Sequence, residues 1–552
     1  MKYEKGKLGL IIPSRVDNTY NILSVQDVRE WRTRLPLNHL KESIKSCHEI
    51  LIVLHNSHVA PLERLEMLEI IQPTVNFLCE SILKLYRKNP IFNKKIIEMH
   101  RIILSLHLEV FNEYKLILED LNTNLSKKET LMEVVHASIQ QSCRIIFLSF
   151  EIYRHPPSYI WLETHRLYSI ARAQEAHYDE STEKNTYQSI FKNISNLYKH
   201  LVLLSLTNPL RYHRQDLIKL YYALENWAPL LKLSFNKQSK NHLFKIDLEK
   251  DAPPHYCALD ASEGSAPCYI ELDKIVERLE FLIDYKENAS AHTNNIIFTA
   301  QELSLSKTTL DVLLHIWQNF SQRQEVRVRM PGALTVAVGL HAIHSFIETA
   351  NSSQLNMPDE ISVEEINLDA FPLPQSLAEN FKETPTLLNC SMVDKSDSGY
   401  CIKWAQNKAG QLQVGELVGI LEQNENHAST WQIAIIRWVQ ITDFDYILFG
   451  VEVLSRKATA VEILIRDQSS LDALFITPDA NSPYNTQVLI TPTLRFKAAD
   501  QLQLKSEDTL YPCQLNLNLG LSPCYAFWEI DFLEQSLIPK INNEINQSST
   551  NN

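Results

Sequence analysis

Glycine is distributed very unevenly along this 552-residue chain. Of its 11 glycines, none lies between residues 10 and 263, and eight follow residue 331. Glycine costs backbone entropy inside a helix, whereas tight connections between strands draw on its freedom at positive φ. The asymmetry therefore predicts a helical front and a β-rich back.

Hydrophobic spacing carries the same division. Leu62, Leu65, Leu68 and Ile71 recur every three residues, followed by Val75, Leu78, Ile82 and Leu85. Pro73 between the two runs predicts a kink or a new first turn. Ile96 to Ile117 and Val134 to Ile152 continue the helical pattern, and Pro156-Pro157-Ser158 predicts a stop, with Ser158 capping the next helix. Further helices are expected over 187–206 and 215–233, and Leu243–Leu248 alternates like a strand. No repeat of fixed period is present. The helix 310–320 runs directly into Arg323.

Beyond Arg327 the period changes. Leu334–Val338 reads as a strand, 341–349 as a short helix, and 351–385 as an acidic, proline-containing inserted loop. Strands then follow closely over 400–404, 417–421, 431–440, 446–454 and 460–466, and in the same style to residue 532. Consecutive strands with short connections imply antiparallel closure into a barrel or sandwich.

Charge and cysteine usage exclude several functions. Lys and Arg total 53 against 66 Asp and Glu, a formal charge of -13. Such a surface repels nucleic-acid polymers and anionic lipid, so neither is an expected partner. The nine scattered cysteines form no C-x-x-C pair, which implies reduced, buried thiols. The first residues lack the apolar core of a signal peptide, and no run is long enough to span a membrane; a cytoplasmic protein is expected. His55/His58 and His341/His344 form H-x-x-H pairs without a third ligand at zinc spacing, so no metal site is expected. No nucleophile or phosphate-loop motif is present, and catalysis is not expected.

Two short motifs remain. Arg323-Gln324-Glu325-Val326-Arg327 is an R-x-x-x-R, and Asp394-Lys395-Ser396-Asp397-Ser398-Gly399 is a D-x-S-x-x-G. Taken singly, the first reads as a solvated helix face and the second as a good turn between strands. Each occurs once, in this order, and strand-like sequence follows each. Together they resemble the nucleotide-binding signature of the PilZ domain, the bacterial receptor module for cyclic di-GMP. The strands around Val414–Ile420, Trp431–Trp438 and Phe449–Leu454 extend the resemblance over roughly residues 320–466.

The resemblance implies a ligand with two guanines and two phosphates, and the residue types suit it. Arginine forks bind phosphate or the O6/N7 edge of guanine. A carboxylate accepts from guanine N1–H and N2–H, and a hydroxyl donates or accepts. These roles would fall to Arg323, Arg327, Asp394, Ser396 and Gly399. One departure stands out: 66 residues separate Arg327 from Asp394, where the usual PilZ spacing is a few tens at most.

The expected architecture is thus α+β and multidomain. An irregular arm (1–36) precedes an all-α bundle or irregular solenoid (37–285), a linker and helix (286–322) and a PilZ-like antiparallel barrel (323–466). A β extension or second small β-unit (467–535) and a disordered tail (536–552) complete it. The expected function is a non-enzymatic receptor for cyclic di-GMP, without cofactor, whose helical region contacts an unknown protein partner. The alternative is a structural adaptor with a degenerate barrel, in which the arginines fail to reach Asp394.

Overall fold

The computed structural model describes residues 3–14, 23–87, 94–121, 128–175, 193–235, 243–257, 267–287, 297–319, 327–351, 387–405, 412–422, 430–442, 446–464, 470–477, 483–492, 496–506, 509–521 and 525–533. The chain divides into two compact units, one mainly of residues 1–324 and one mainly of 325–552.

The first unit opens with strands β1 (Tyr3–Lys5) and β2 (Ile11–Pro13), paired antiparallel. Helices follow: α1 (Val25–Arg34), α2 (Leu40–Asn56), α3 (Pro61–Arg87), α4 (Lys94–Leu121), α5 (Lys128–Glu151), α6 (Ile160–Ala173), α7 (Ile194–Leu206) and α8 (Arg214–Trp227). Strands β3 (Lys232–Ser234), β4 (Phe244–Asp247), β5 (His255–Tyr256) and β6 (Pro267–Glu271) form one sheet in the order β3-β6-β4-β5. Helices α9 (Asp273–Glu287), α10 (Ala300–Leu303) and α11 (Lys307–Gln318) end the unit.

Several expectations are corrected here. The arm is not irregular, because it holds a hairpin and α1, which a Ser24/Asp27 capping box starts. The following region is not all-α: the strand expected over 243–248 is present as β4, and three further strands of two to five residues, β3, β5 and β6, join it in a four-stranded sheet. Pro73 starts no new helix but lies inside α3. Ser158 does not cap α6. Tyr159 takes that position in the left-handed region (φ 71°), and the Asp251 carboxylate accepts from the backbone N–H groups of Tyr159 (2.6 Å) and Leu162 (3.2 Å). A cap supplied 92 residues away has no local signature.

Several charged side chains buried in this unit meet an opposite charge. Arg64, fully buried, reaches Glu113 at 2.6 Å and the Leu54 and Ser57 carbonyls. The N-terminal hairpin is held by Glu119, which accepts from Lys7 and Leu8 N–H groups, and by Lys115, which bridges the Ile11 carbonyl and Glu163.

In the second unit, β7 (Gly332–Val338) precedes α12 (Leu340–Asn351), then β8 (Leu387–Ser396), β9 (Gly399–Ala405), β10 (Leu417–Glu422), β11 (Gln432–Ile441) and β12 (Tyr446–Ser455). These six strands close as β10-β11-β12-β9-β8-β7. A second closed barrel, β13-β14-β15-β18-β17-β16, uses β13 (Ala458–Leu464), β14 (Ser470–Ile476), β15 (Val488–Pro492), β16 (Gln501–Ser506), β17 (Thr509–Leu521) and β18 (Tyr525–Phe532). Numbered within each barrel, both run 1-2-3-6-5-4, so the same topology occurs twice in tandem.

The strand expected at 460–466 therefore belongs to the second barrel rather than the first. The first closes without it because β8, which was not picked out in the sequence, supplies the missing stave. Helix α12 packs Ile343 and Ile347 into a core shared by both barrels, with Leu417 and Ile433 from one and Leu474, Ile490 and Phe527 from the other. The second barrel also has its own core around Phe475, Leu504, Tyr511 and Phe532. The inserted loop expected over 351–385 and the tail over 536–552 lie, but for Asn351, outside the described residues.

Candidate functional site

The site is built on the first two strands of the first barrel. Strand β7 pairs antiparallel with β8, from Ala337 opposite Leu387 to Gly332 opposite Met392. The ladder continues past the strand: Val328 and Lys395 exchange backbone hydrogen bonds of 2.9 and 3.0 Å. The segment before β7 thus runs along the far end of β8, and Arg327 Nη1 meets Asp394 Oδ1 at 2.5 Å. The long gap between the motifs leaves this meeting intact because its residues leave at the other end of the hairpin. Its length changes loop-closure entropy, not register.

A bulge decides which way the motif faces. Leu388, Cys390 and Met392 alternate into the barrel, but the register jumps from Met392 opposite Ile402 to Asp394 opposite Cys401. Val393 is the extra residue. Without it, Asp394 would continue the inward set. With it, Asp394 points outward beside Arg327, each side chain 22% exposed, while Lys395 shares the inward face with its partner Tyr400.

The inward group forms a polar plug in the barrel mouth. Lys395 Nζ and Tyr400 Oη both donate to Glu422 Oε1, and Gln432 Oε1 lies 3.0 Å from Tyr400 Oη. Burial works against the charge of Glu422, but the bonds from Lys395 and Tyr400 outweigh it and hold the carboxyl below its usual range. The motif reading missed these four residues. The signal was available in the parity of Tyr400 with Ile402 and of Glu422 with Ile420.

The remaining motif residues close the β8–β9 turn. Ser396 pairs with Gly399, and its Oγ lies 3.4 Å from the Gly399 carbonyl. Gly399 is not at positive φ. A Cβ there would lie 2.1 Å from the Val451 carbonyl oxygen of β12, so close strand approach requires the glycine. Next to it on the ladder, Glu452 pairs with Arg437 at 2.5 Å. Arg323 lies outside the described residues.

The H-x-x-H pair on α12 gains a partner that sequence spacing could not reveal. His341 Nδ1 hydrogen-bonds Asp472 of β14, and His344 Nδ1 is 3.8 Å from the same carboxylate. Among the described residues, no group of three or more His, Cys, Asp or Glu could hold a metal ion. Among the described residues no cysteine forms a disulfide. No helix among the described residues is long and apolar enough to cross a membrane.

A closed six-stranded barrel with an arginine before its first strand facing the aspartate of a D-x-S-x-x-G hairpin defines a PilZ-type domain. Comparison with known proteins places it further. The family described as "Cyclic-di-GMP receptor FimW, N-terminal domain" matches residues 26–239, and "Cyclic-di-GMP receptor FimW, middle PilZ domain" matches 243–370 and 349–460. The chain belongs to the family that these models describe, a helical N-terminal region followed by a PilZ domain. The "Cyclic-di-GMP receptor FimW" of Pseudomonas aeruginosa is 23% identical over 564 residues, covering 91% of this chain and 90% of its own length.

Proposed function

We propose that the chain is a non-enzymatic cytoplasmic receptor that binds cyclic di-GMP on the outer face of its first barrel and relays binding to a protein partner through its helical region. One observation carries the reading: Arg327 and Asp394 meet at 2.5 Å although 67 positions apart. The likeness to a cyclic-di-GMP receptor over nine-tenths of the chain supports it.

Without ligand the two charges satisfy each other. A partly exposed ion pair of this kind contributes about 1 kcal/mol, so a ligand that replaces both partners opens it at modest cost. The freed guanidinium then takes a phosphate or the O6/N7 edge of a guanine, and the carboxylate takes N1–H and N2–H. Ser396 at the turn adds a hydroxyl, and Gly399 holds the turn against β12. Arg323 joins as the second fork on the strength of its four-residue spacing.

Calorimetric titration of the full chain with cyclic di-GMP tests this reading, with GTP as control. Saturable binding by the wild type, lost in Arg327→Ala and in Asp394→Ala and absent with GTP, is the expected result. Binding unchanged in both variants would refute the assigned site. The relay is tested by partner capture with and without nucleotide, using Arg327→Ala as the uncoupled form.

A further inference from the structure

The first unit contains a groove of about 760 Å³ far in sequence from the barrel motifs. Arg166 and Arg172 of α6 line it, with Phe235 after β3, Leu248 and Glu249 after β4, and Pro267 at the start of β6. Its volume is in the range of small-molecule sites, roughly 300–1,000 Å³.

The two arginines differ from several buried cations of this unit. Arg64, Arg87, Lys115 and Arg278 in this unit each meet a carboxylate. Among the described residues neither Arg166 nor Arg172 forms such an ion pair, though Arg166 is near enough to Glu163 to favour its charged form. Arg166 donates Nη1 to the Gly9 carbonyl, and the Arg172 guanidinium carbon lies 3.2 Å from the ring centre of Phe235. The two cations share one groove on a chain of charge -13.

Their arrangement is suited to an anion. Stacking on Phe235 covers a face of the Arg172 guanidinium and fixes its plane, leaving the in-plane N–H fork for bidentate contact. Arg166 and Arg172 stand six residues apart on α6, about 9 Å along its axis, and both line the same groove. Leu248 and Pro267 offer apolar contact to a carbon skeleton. Glu249, the one carboxylate in the lining, leaves two cations against one acid and disfavours densely charged polymers.

We propose that this groove is a binding site for a small oxyanion, of phosphate or carboxylate type, gripped by Arg172 and steadied by Arg166. The proposal is independent of nucleotide binding at the barrel. Its test is calorimetric titration of the full chain with pyrophosphate and, separately, citrate, at constant ionic strength set with chloride. Wild type and Arg327→Ala should bind at least one probe saturably, and Arg172→Gln should bind it about tenfold or more weakly. Binding of pyrophosphate alone assigns the phosphate class, and of citrate alone the carboxylate class. Arg172→Lys, which keeps charge but lacks the fork, should also weaken binding and serves if the Gln variant does not unfold cooperatively. Absence of saturable binding by either probe, or undiminished affinity in both Arg172 variants, overturns the proposal.

Discussion

Gly399→Ala separates the structural from the ligand-contacting part of the D-x-S-x-x-G motif. The added methyl would sit 2.1 Å from the Val451 carbonyl oxygen, 3.2 Å from its carbonyl carbon and 3.5 Å from Glu452 Cα. All three atoms are backbone, so no side-chain rotation relieves the overlap. Ordinary contact needs at least another ångström, and β9 must peel from β12 there. Gly399 pairs with Glu452 at the end of a ladder that runs to Ala405 and Tyr446, so the damage is confined to that end. It forfeits the terminal pairing and the 2.8 Å bond from Val453 N–H to the Ser398 carbonyl. At about 1 kcal/mol for each net hydrogen bond, plus local strain, the loss is about 2–3 kcal/mol. Denaturant unfolding followed by tryptophan fluorescence measures it. Asp394→Ala is the paired control: it removes a partly exposed ion pair and should cost about 1 kcal/mol while abolishing cyclic-di-GMP binding. Gly399→Ala as stable as wild type would refute the close-approach argument.

Other outcomes follow from buried groups. Burial pushes the Glu416 carboxyl up to about 7, against the pull of the hydrogen bonds from Tyr525 Oη and the Leu417 backbone. The folded state therefore holds its proton more tightly than the unfolded state, so this group's stabilisation is complete below about pH 4.5 and is lost as pH rises through about 7. Glu416→Gln should flatten that decline, which amounts to about 3 kcal/mol at most, in denaturation curves taken at pH 5 and pH 8. Equal pH slopes in both proteins would disprove it. Asp251→Ala removes the remote cap of α6 and should lower stability by about 1 kcal/mol, read as a drop in Tm; an unchanged Tm would show that solvent caps the helix equally well.

The sequence disclosed element type far better than element partnership. Most strands of both barrels were legible from alternation, yet β8 and β14 were not picked out and β13 was assigned to the wrong barrel. Strand 460–466 looks alike in either sheet, because its pattern records one buried face and not which strand lies beside it. Of the four short strands only β4 was legible; β3, β5, β6 and the capping of α6 by Asp251 escaped for the same reason: their hydrogen bonds are made with distant segments. At the site, the residue types of the two motifs were legible, but the glycine was read as a turn residue, and its close neighbour on β12 was invisible.

What the sequence determined alone was local: helices where glycine is absent, strands where it returns, and two clusters of groups chemically suited to a charged nucleotide. Residue preferences act over a few positions, and those positions are adjacent in the chain. The tertiary structure decided whether the clusters meet. Antiparallel pairing of β7 with β8 brings Arg327 to Asp394 whatever length of chain leaves the other end of the hairpin. A single extra residue, Val393, then turns the aspartate outward and the lysine inward. Register and closure arise from cross-strand pairings between distant residues, and so the orientation of the site is a property of the closed barrel, not of the motif.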